Sequence, residues 1–165
     1  MKWFEEILSS GIFWALLGAA VSVIMSGIGS SIGVGRAGEA AAGVVAEDPD
    51  KFGQTLLLQA LPATQGIYGT IIAVMIMLKI GFLGGEPNTD IELTKGALLF
   101  AAALPMGFVG YFSALLQSKA SIAGIAMVAK RPTEVAKGMI FAAMVETYAV
   151  LALLVSFLAI NAIPV

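Results

Sequence analysis

The chain has 165 residues, 59% of them hydrophobic and 12% charged, against about 25% charged in an ordinary soluble domain. A formal net charge of −2 offers no electrostatic case for nucleic acid as a partner, and the lack of cysteine and histidine removes disulfides, thiol nucleophiles and the usual zinc sites. With a mean hydropathy of +0.95, the composition is that of an integral membrane protein.

The N-terminal stretch Met1-Lys-Trp-Phe-Glu-Glu6 is not a basic leader, because two acids follow its single lysine. The apolar run beyond it exceeds the roughly 7–15 residues of a signal's hydrophobic region, so it reads as a retained membrane helix. Four apolar segments then follow, at about residues 11–46, 52–82, 93–129 and 135–162. Each exceeds the roughly 20 residues that a span requires. The breaks at 47–51 and 130–134 contain proline and read as tight turns, whereas 84–92 is a longer polar loop. The expected fold is therefore all-α, with four transmembrane helices in two tandem hairpins, 1–82 and 83–165.

The basic residues set the orientation. Arg36, Lys51, Lys119, Lys130, Arg131 and Lys137 gather toward the two Pro-containing turns, while the opposite face mixes Lys2, Lys79 and Lys95 with acids. The positive-inside rule makes the turns cytoplasmic and both termini external.

The two halves look duplicated. A displacement of about 83 positions lays Pro132 on Pro49, Val128-Ala129 on Val45-Ala46, Lys119 on Arg36, Gly110 on Gly27 and Thr147 on Thr64. Two spans per half make the repeat parallel, not inverted. The consequential mismatch is Glu146, which falls on Ala63. One carboxylate then serves four helices.

Gly33-Val-Gly-Arg-Ala-Gly38 fits the dinucleotide pattern G-x-G-x-x-G in letters only, since the fingerprint requires a preceding strand. Here it lies within a helix-length apolar run. Gly29 with Gly33, and Gly27, Ser31 and Gly35, are instead spaced four apart, which lets membrane helices approach closely. The third segment carries a weaker counterpart through Gly107, Gly110, Ala114, Ser118 and Ser121. Helices this small suit a crowded inner layer, such as the lining of a ring of hairpins.

Glu146 stands alone in a long apolar run. A charge at mid-bilayer costs roughly 2.5–3.5 kcal/mol on insertion scales, so such a residue marks an ion pathway by default. Leu61, Thr64, Gln65 and Tyr68 flank Pro62 on one helical face of the second segment, and Gln117 is the polar residue of the third. Counted from the turns, Gln65, Gln117 and Glu146 lie about 14–16 residues deep, within one helical turn of each other. Hard cations take oxygen ligands, and the candidates are the Glu146 carboxylate, the Gln65 and Gln117 amides, the Thr64 hydroxyl and the Leu61 carbonyl beside the proline. A proton would need only Glu146, whereas several neutral oxygens suit Na⁺. Tyr68 reads as a donor steadying the carboxylate, or as an interfacial aromatic.

Ser26-Gly-Ile-Gly-Ser30, Leu61-Pro-Ala-Thr-Gln-Gly-Ile-Tyr-Gly69 and Ile140-Phe-Ala-Ala-Met-Val-Glu-Thr-Tyr-Ala149 together resemble the duplicated proteolipid of V-type rotary ATPases, and more closely the subunit K family of bacterial V-type sodium-transporting ATPases. The similarity runs from about residue 12 to 162. It implies a homo-oligomeric rotor ring in the cell membrane, partnered by a stator membrane subunit and a central stalk. It also implies an ion held at Leu61, Thr64, Gln65, Gln117 and Glu146, with Tyr68 bonded to the glutamate. No catalytic residue and no cofactor beyond the transported Na⁺ or H⁺ is implied for this chain. Two rivals remain. A self-contained channel or secondary transporter would move ions alone, and a structural scaffold would tolerate loss of Glu146.

Overall fold

The computed structural model describes residues 2–165. A short helix α1 (Lys2–Leu8) precedes the long α2 (Gly11–Glu47), and a turn led by Pro49 connects α2 to α3 (Phe52–Ala60). One turn of tighter 3-10 helix, Leu61–Ala63, carries α3 into α4 (Thr64–Lys79). After a polar loop come α5 (Leu93–Lys130), a second Pro-led turn (Pro132–Glu134) and α6 (Val135–Ala162). Among the described residues there is no strand, and the four spans Gly11–Glu47, Pro49–Lys79, Leu93–Lys130 and Pro132–Ala162 are long and apolar enough to cross a membrane. The all-α, four-span expectation is met.

Two details differ from the sequence reading. The second span ends at Lys79, short of residue 82, because Gly81 takes φ 78° and turns the chain. Ile80 N–H still bonds the Ile76 carbonyl at 3.0 Å, and Leu83 N–H reaches back to Met77 at 3.2 Å. A left-handed glycine closing the last carbonyls is a common helix ending. The second difference is α1 itself, a separate helix of about two turns that exposes Trp3 and Phe4. Ser10 breaks it from α2 by adopting extended backbone, and the Trp14 indole N–H ties back to the Leu8 carbonyl at 2.9 Å.

The hairpins dock through α2 and α5. Every buried residue of α2 is Gly, Ala or Ser, including Ala15, Ala19, Ser22, Ser26, Gly29 and Gly33 at steps of four and three. That spacing is a coiled-coil seam in which the knobs are almost absent, so the backbones come close. A Cβ at Gly29 would lie 2.6 Å from the Tyr111 carbonyl oxygen and 2.7 Å from its Cα, and one at Gly18 would lie 2.7 Å from Phe100 Cα. These pairings advance together along both helices, so α2 and α5 run parallel. Gly27 and Gly35 behave differently, since a Cβ at either would meet nothing within 4 Å. The two glycine series thus lie on different faces, one packed against α5 and one open.

Around this pair, α4 returns along α2 and α6 returns along α5. Ser22 Oγ donates to the Gly69 carbonyl at 3.2 Å, and Gly66 N–H donates to Ser30 Oγ at 2.7 Å. On the other side Met106 N–H, next to the helix-interior Pro105, donates to Ser156 Oγ at 3.2 Å. The first Pro-containing turn is tied to the end of α5 by Lys51, whose Nζ reaches the Ala129 carbonyl at 2.8 Å and Asp48 of its own turn at 3.1 Å. One apolar cluster (Ile72, Ile76, Leu99, Met106, Ile160 and neighbours) fills the half nearer the termini. A second (Ala37, Ala41, Leu58, Ile125, Val128) fills the half nearer the turns.

Gly29→Ala should therefore destabilise the protein by about 1–3 kcal/mol, the usual cost of overpacking. Gly43→Ala, where a Cβ meets nothing, should be neutral or stabilising by up to about 1 kcal/mol through helix propensity. Denaturant unfolding of the detergent-purified protein checks both, and equal effects at the two positions would contradict this packing.

Candidate ion-binding site

Between the two apolar clusters lies a polar layer, built from three of the four spans. Pro62 has no N–H, and the chain tightens there into the 3-10 turn. The Leu61 carbonyl, at the head of that turn, accepts from Thr64 N–H and, at 3.1 Å, from the Thr64 hydroxyl. The same hydroxyl lies 3.4 Å from Gln65 Oε1. Proline thus sets two oxygens, Leu61 O and Thr64 Oγ1, side by side with the amide of Gln65.

Gln65 and Gln117 are both fully buried. Gln65 Nε2 donates to Gln117 Oε1 at 2.6 Å, and Gln117 Nε2 donates to Glu146 Oε2 at 3.2 Å. The other carboxylate oxygen, Oε1, accepts from the Tyr68 hydroxyl at 2.6 Å. All six residues singled out from the sequence, Leu61, Thr64, Gln65, Tyr68, Gln117 and Glu146, are thereby linked in one hydrogen-bonded layer. Tyr68 donates to the carboxylate and is not an outward-facing aromatic.

A seventh member was not singled out from the sequence. Ser113 Oγ accepts from Gln65 Nε2 at 3.2 Å and donates to the Val145 carbonyl at 3.2 Å. It fixes the end of the Gln65 side chain and anchors α5 to α6 one residue from Glu146. The available signal was its position four residues before Gln117, on the same helical face.

The carboxylate is half-buried, and neither ion pair among the described residues, Asp48–Lys51 and Glu134–Lys137, involves it. Nor do the described residues hold a group of three or more His, Cys, Asp or Glu. A single formal charge with neutral oxygens around it balances a monovalent cation, whereas Ca²⁺ sites gather several carboxylates. A carboxylate has acceptor capacity for about four partners, and two places here are taken by Tyr68 and Gln117. The layer can therefore hold one proton on Glu146, or one small cation among the oxygens of Leu61, Thr64, Gln65, Gln117 and Glu146.

Comparison with known proteins gives a consistent result. The family of the ATP synthase C subunit matches twice, at residues 17–76 and 100–159, and the two starts are separated by the displacement that lays Pro132 on Pro49. The chain is 47% identical over 150 residues to the V-type sodium ATPase subunit K of Enterococcus hirae, covering 91% of this chain and 92% of that protein. It is 39% identical over 142 residues to the A-type ATP synthase subunit K of Methanocaldococcus jannaschii, covering 86% of this chain and 59% of that one. A more distant relative is the 16 kDa proteolipid of the human V-type proton ATPase, 25% identical over 120 residues, or 73% of each chain.

Two substitutions rank the parts of this layer. Tyr68→Phe removes a hydrogen bond to a charged group, worth about 1.5–3 kcal/mol, and Ser113→Ala removes from the ion layer one neutral bond, to Gln65, worth about 0.5–1.5 kcal/mol. The sodium-binding constant of the purified protein should fall by about one to two orders of magnitude for the first, and by about tenfold or less for the second. Isotope-exchange binding measures both, and a larger loss at Ser113 would mean that Gln65, not the tyrosine, controls the carboxylate.

Proposed function

The chain belongs to the family of the ATP synthase C subunit, and we propose on that basis that it is the rotor-ring proteolipid of a V-type rotary ATPase, carrying Na⁺ across the membrane on Glu146. The observation that carries this reading is the polar layer itself. A lone acid sits at mid-span, with its two oxygens on Tyr68 and Gln117, beside neutral oxygens from a second and a third helix.

The chemistry follows from charge. With Na⁺ bound, Glu146 forms a neutral pair that can travel through the apolar region as the ring turns. Without it, the bare carboxylate carries the mid-bilayer cost of several kcal/mol and is confined to a polar environment. A fixed cation on a neighbouring stator subunit would compete for Glu146 and release the ion there. Access paths on opposite sides of that contact would make each crossing require rotation. An amide has a donor end and an acceptor end, so Gln117 can give Glu146 an N–H or turn its oxygen toward a cation at the same place.

Nucleotide chemistry belongs, in this reading, to other subunits, and the chain's own work is ion carriage. Its partners are further copies of itself, a stator membrane subunit and a central stalk. The basic residues about the Pro-containing turns favour a cytoplasmic location for 47–51 and 130–134, with both termini external. Neutral oxygen donors beyond those a proton needs favour Na⁺, and so does the sodium-linked relative at 47% identity.

Glu146→Gln should abolish ATP-driven sodium uptake into membrane vesicles and leave the assembled oligomer intact on a native gel. Retained sodium-coupled transport would overturn the assignment. Sodium should also protect Glu146 from carbodiimide labelling, and labelling indifferent to sodium would make the proton the coupling ion.

A further inference from the structure

The helix ahead of the first span takes no part in the polar layer, and the family match begins beyond it, at residue 17. Displaced by the repeat, α1 falls on 85–91, a polar segment that forms no helix. Only hairpin one carries such an element.

The apolar residues of α1 recur at steps of three and four. Trp3, Phe4, Ile7 and Leu8 share one face, and Lys2, Glu5 and Glu6 share the other. No residue of α1 is buried, and the four apolar ones are 66%, 53%, 41% and 37% exposed. Seven residues are too few to hold a helix in water without something to pack against.

The joint behind α1 is nonetheless fully bonded. A helix leaves its last four carbonyls without partners of its own beyond the end, and here all four are taken. The Glu5 carbonyl accepts from Ser9 N–H at 3.0 Å, and that of Glu6 from the Ser9 hydroxyl at 2.9 Å. The Ile7 carbonyl accepts from Ser10 N–H at 3.1 Å, and that of Leu8 from the Trp14 indole at 2.9 Å. Such an end needs no water for its carbonyls, as suits the edge of a bilayer.

The height is also that of a membrane boundary. Gly11 heads the first span, and a Cβ at Gly96 would overlap the Gly11 backbone, so α1 joins the span at the level of Gly96. Leu93 and Leu98, on either side of Gly96, are 42% and 54% exposed. Trp14 packs edge-on against Phe13 and Phe100, with centroids 5.7 Å and 5.5 Å away. Outward-facing apolar surface thus continues from the spans up to α1, and aromatic residues gather where such a surface meets water.

We propose that the Trp3, Phe4, Ile7 and Leu8 face of α1 seats on the lipid bilayer itself, at the boundary of headgroups and acyl chains in the leaflet on the side of the termini. Glu5 and Glu6 then stay on the water side, and Trp3 and Phe4 supply the apolar contact. With no cationic face, α1 does not require anionic lipid. Seated there, it fixes the height of the head of α2 in the membrane.

Single cysteines can report the two faces, because the chain has none of its own. In the full-length protein reconstituted into phosphatidylcholine vesicles, a charged, membrane-impermeant maleimide should modify Glu6→Cys at least tenfold faster than Phe4→Cys. Glu5→Cys against Ile7→Cys repeats the comparison should either variant of the first pair assemble poorly. A nitroxide on Phe4→Cys identifies what covers that face. Among acyl chains it should collide often with dissolved oxygen and rarely with an aqueous nickel complex. Equal maleimide rates on the two faces, or frequent collisions with nickel, would put α1 in water, and rare collisions with both would put it against protein. Either result overturns the proposal and leaves the rotor reading untouched.

Discussion

An acid in the middle of an apolar span must be answered by polar groups, and those groups must come from somewhere other than water. Glu146 lies on α6, but its partners lie on α4 and α5, and the atoms that position those partners lie on α4 and α5 as well. The demand therefore reaches across both hairpins. It requires α4 and α5 to stand at one depth relative to α6, which in turn requires the two hairpins to be docked in a fixed register. The layer and the docking specify each other.

What permits the docking is the small-residue seam. In a membrane the hydrophobic effect does not drive helices together, so close approach must supply the attraction through packing. Gly18, Gly29 and Gly33 let α2 lie almost backbone to backbone with α5. The apolar clusters on either side of the polar layer then seal it toward the turns and toward the termini. A buried amide pair such as Gln65 and Gln117 is costly unless satisfied, and a fully satisfied network is rigid. Here the acceptor for the spare Gln65 N–H is Ser113, which in turn rests on the backbone of α6.

Much of this was legible in the sequence because the membrane makes residue types informative. Length and apolarity bounded the four spans to within a few residues, and an isolated acid, two glutamines and a proline at one depth marked the layer. The misses have physical causes. Ser113 sits on a helix rich in Ala, Gly and Ser, where a hydroxyl that positions an amide looks the same as one that merely packs. The end of α4 depended on the left-handed backbone of Gly81, and the next residues, Phe82 and Leu83, are apolar enough to extend the pattern past it. The two glycine series of α2 share spacing and composition. Only the neighbours separate Gly29 and Gly33, which touch α5, from Gly27 and Gly35, which face outward.

The alanine at position 63 has a mechanical side. In a ring of such chains, each carboxylate is separated from the next by four helices where an unduplicated hairpin would space them by two. The arc turned per ion doubles, and at a given torque the work delivered to each ion doubles with it. Moving one charge against 100 mV takes about 2.3 kcal/mol, so a longer stride lets the same motor load ions against a steeper gradient, while moving fewer of them per revolution. Carrying one carboxylate per duplicated pair is, in that sense, a change of gear.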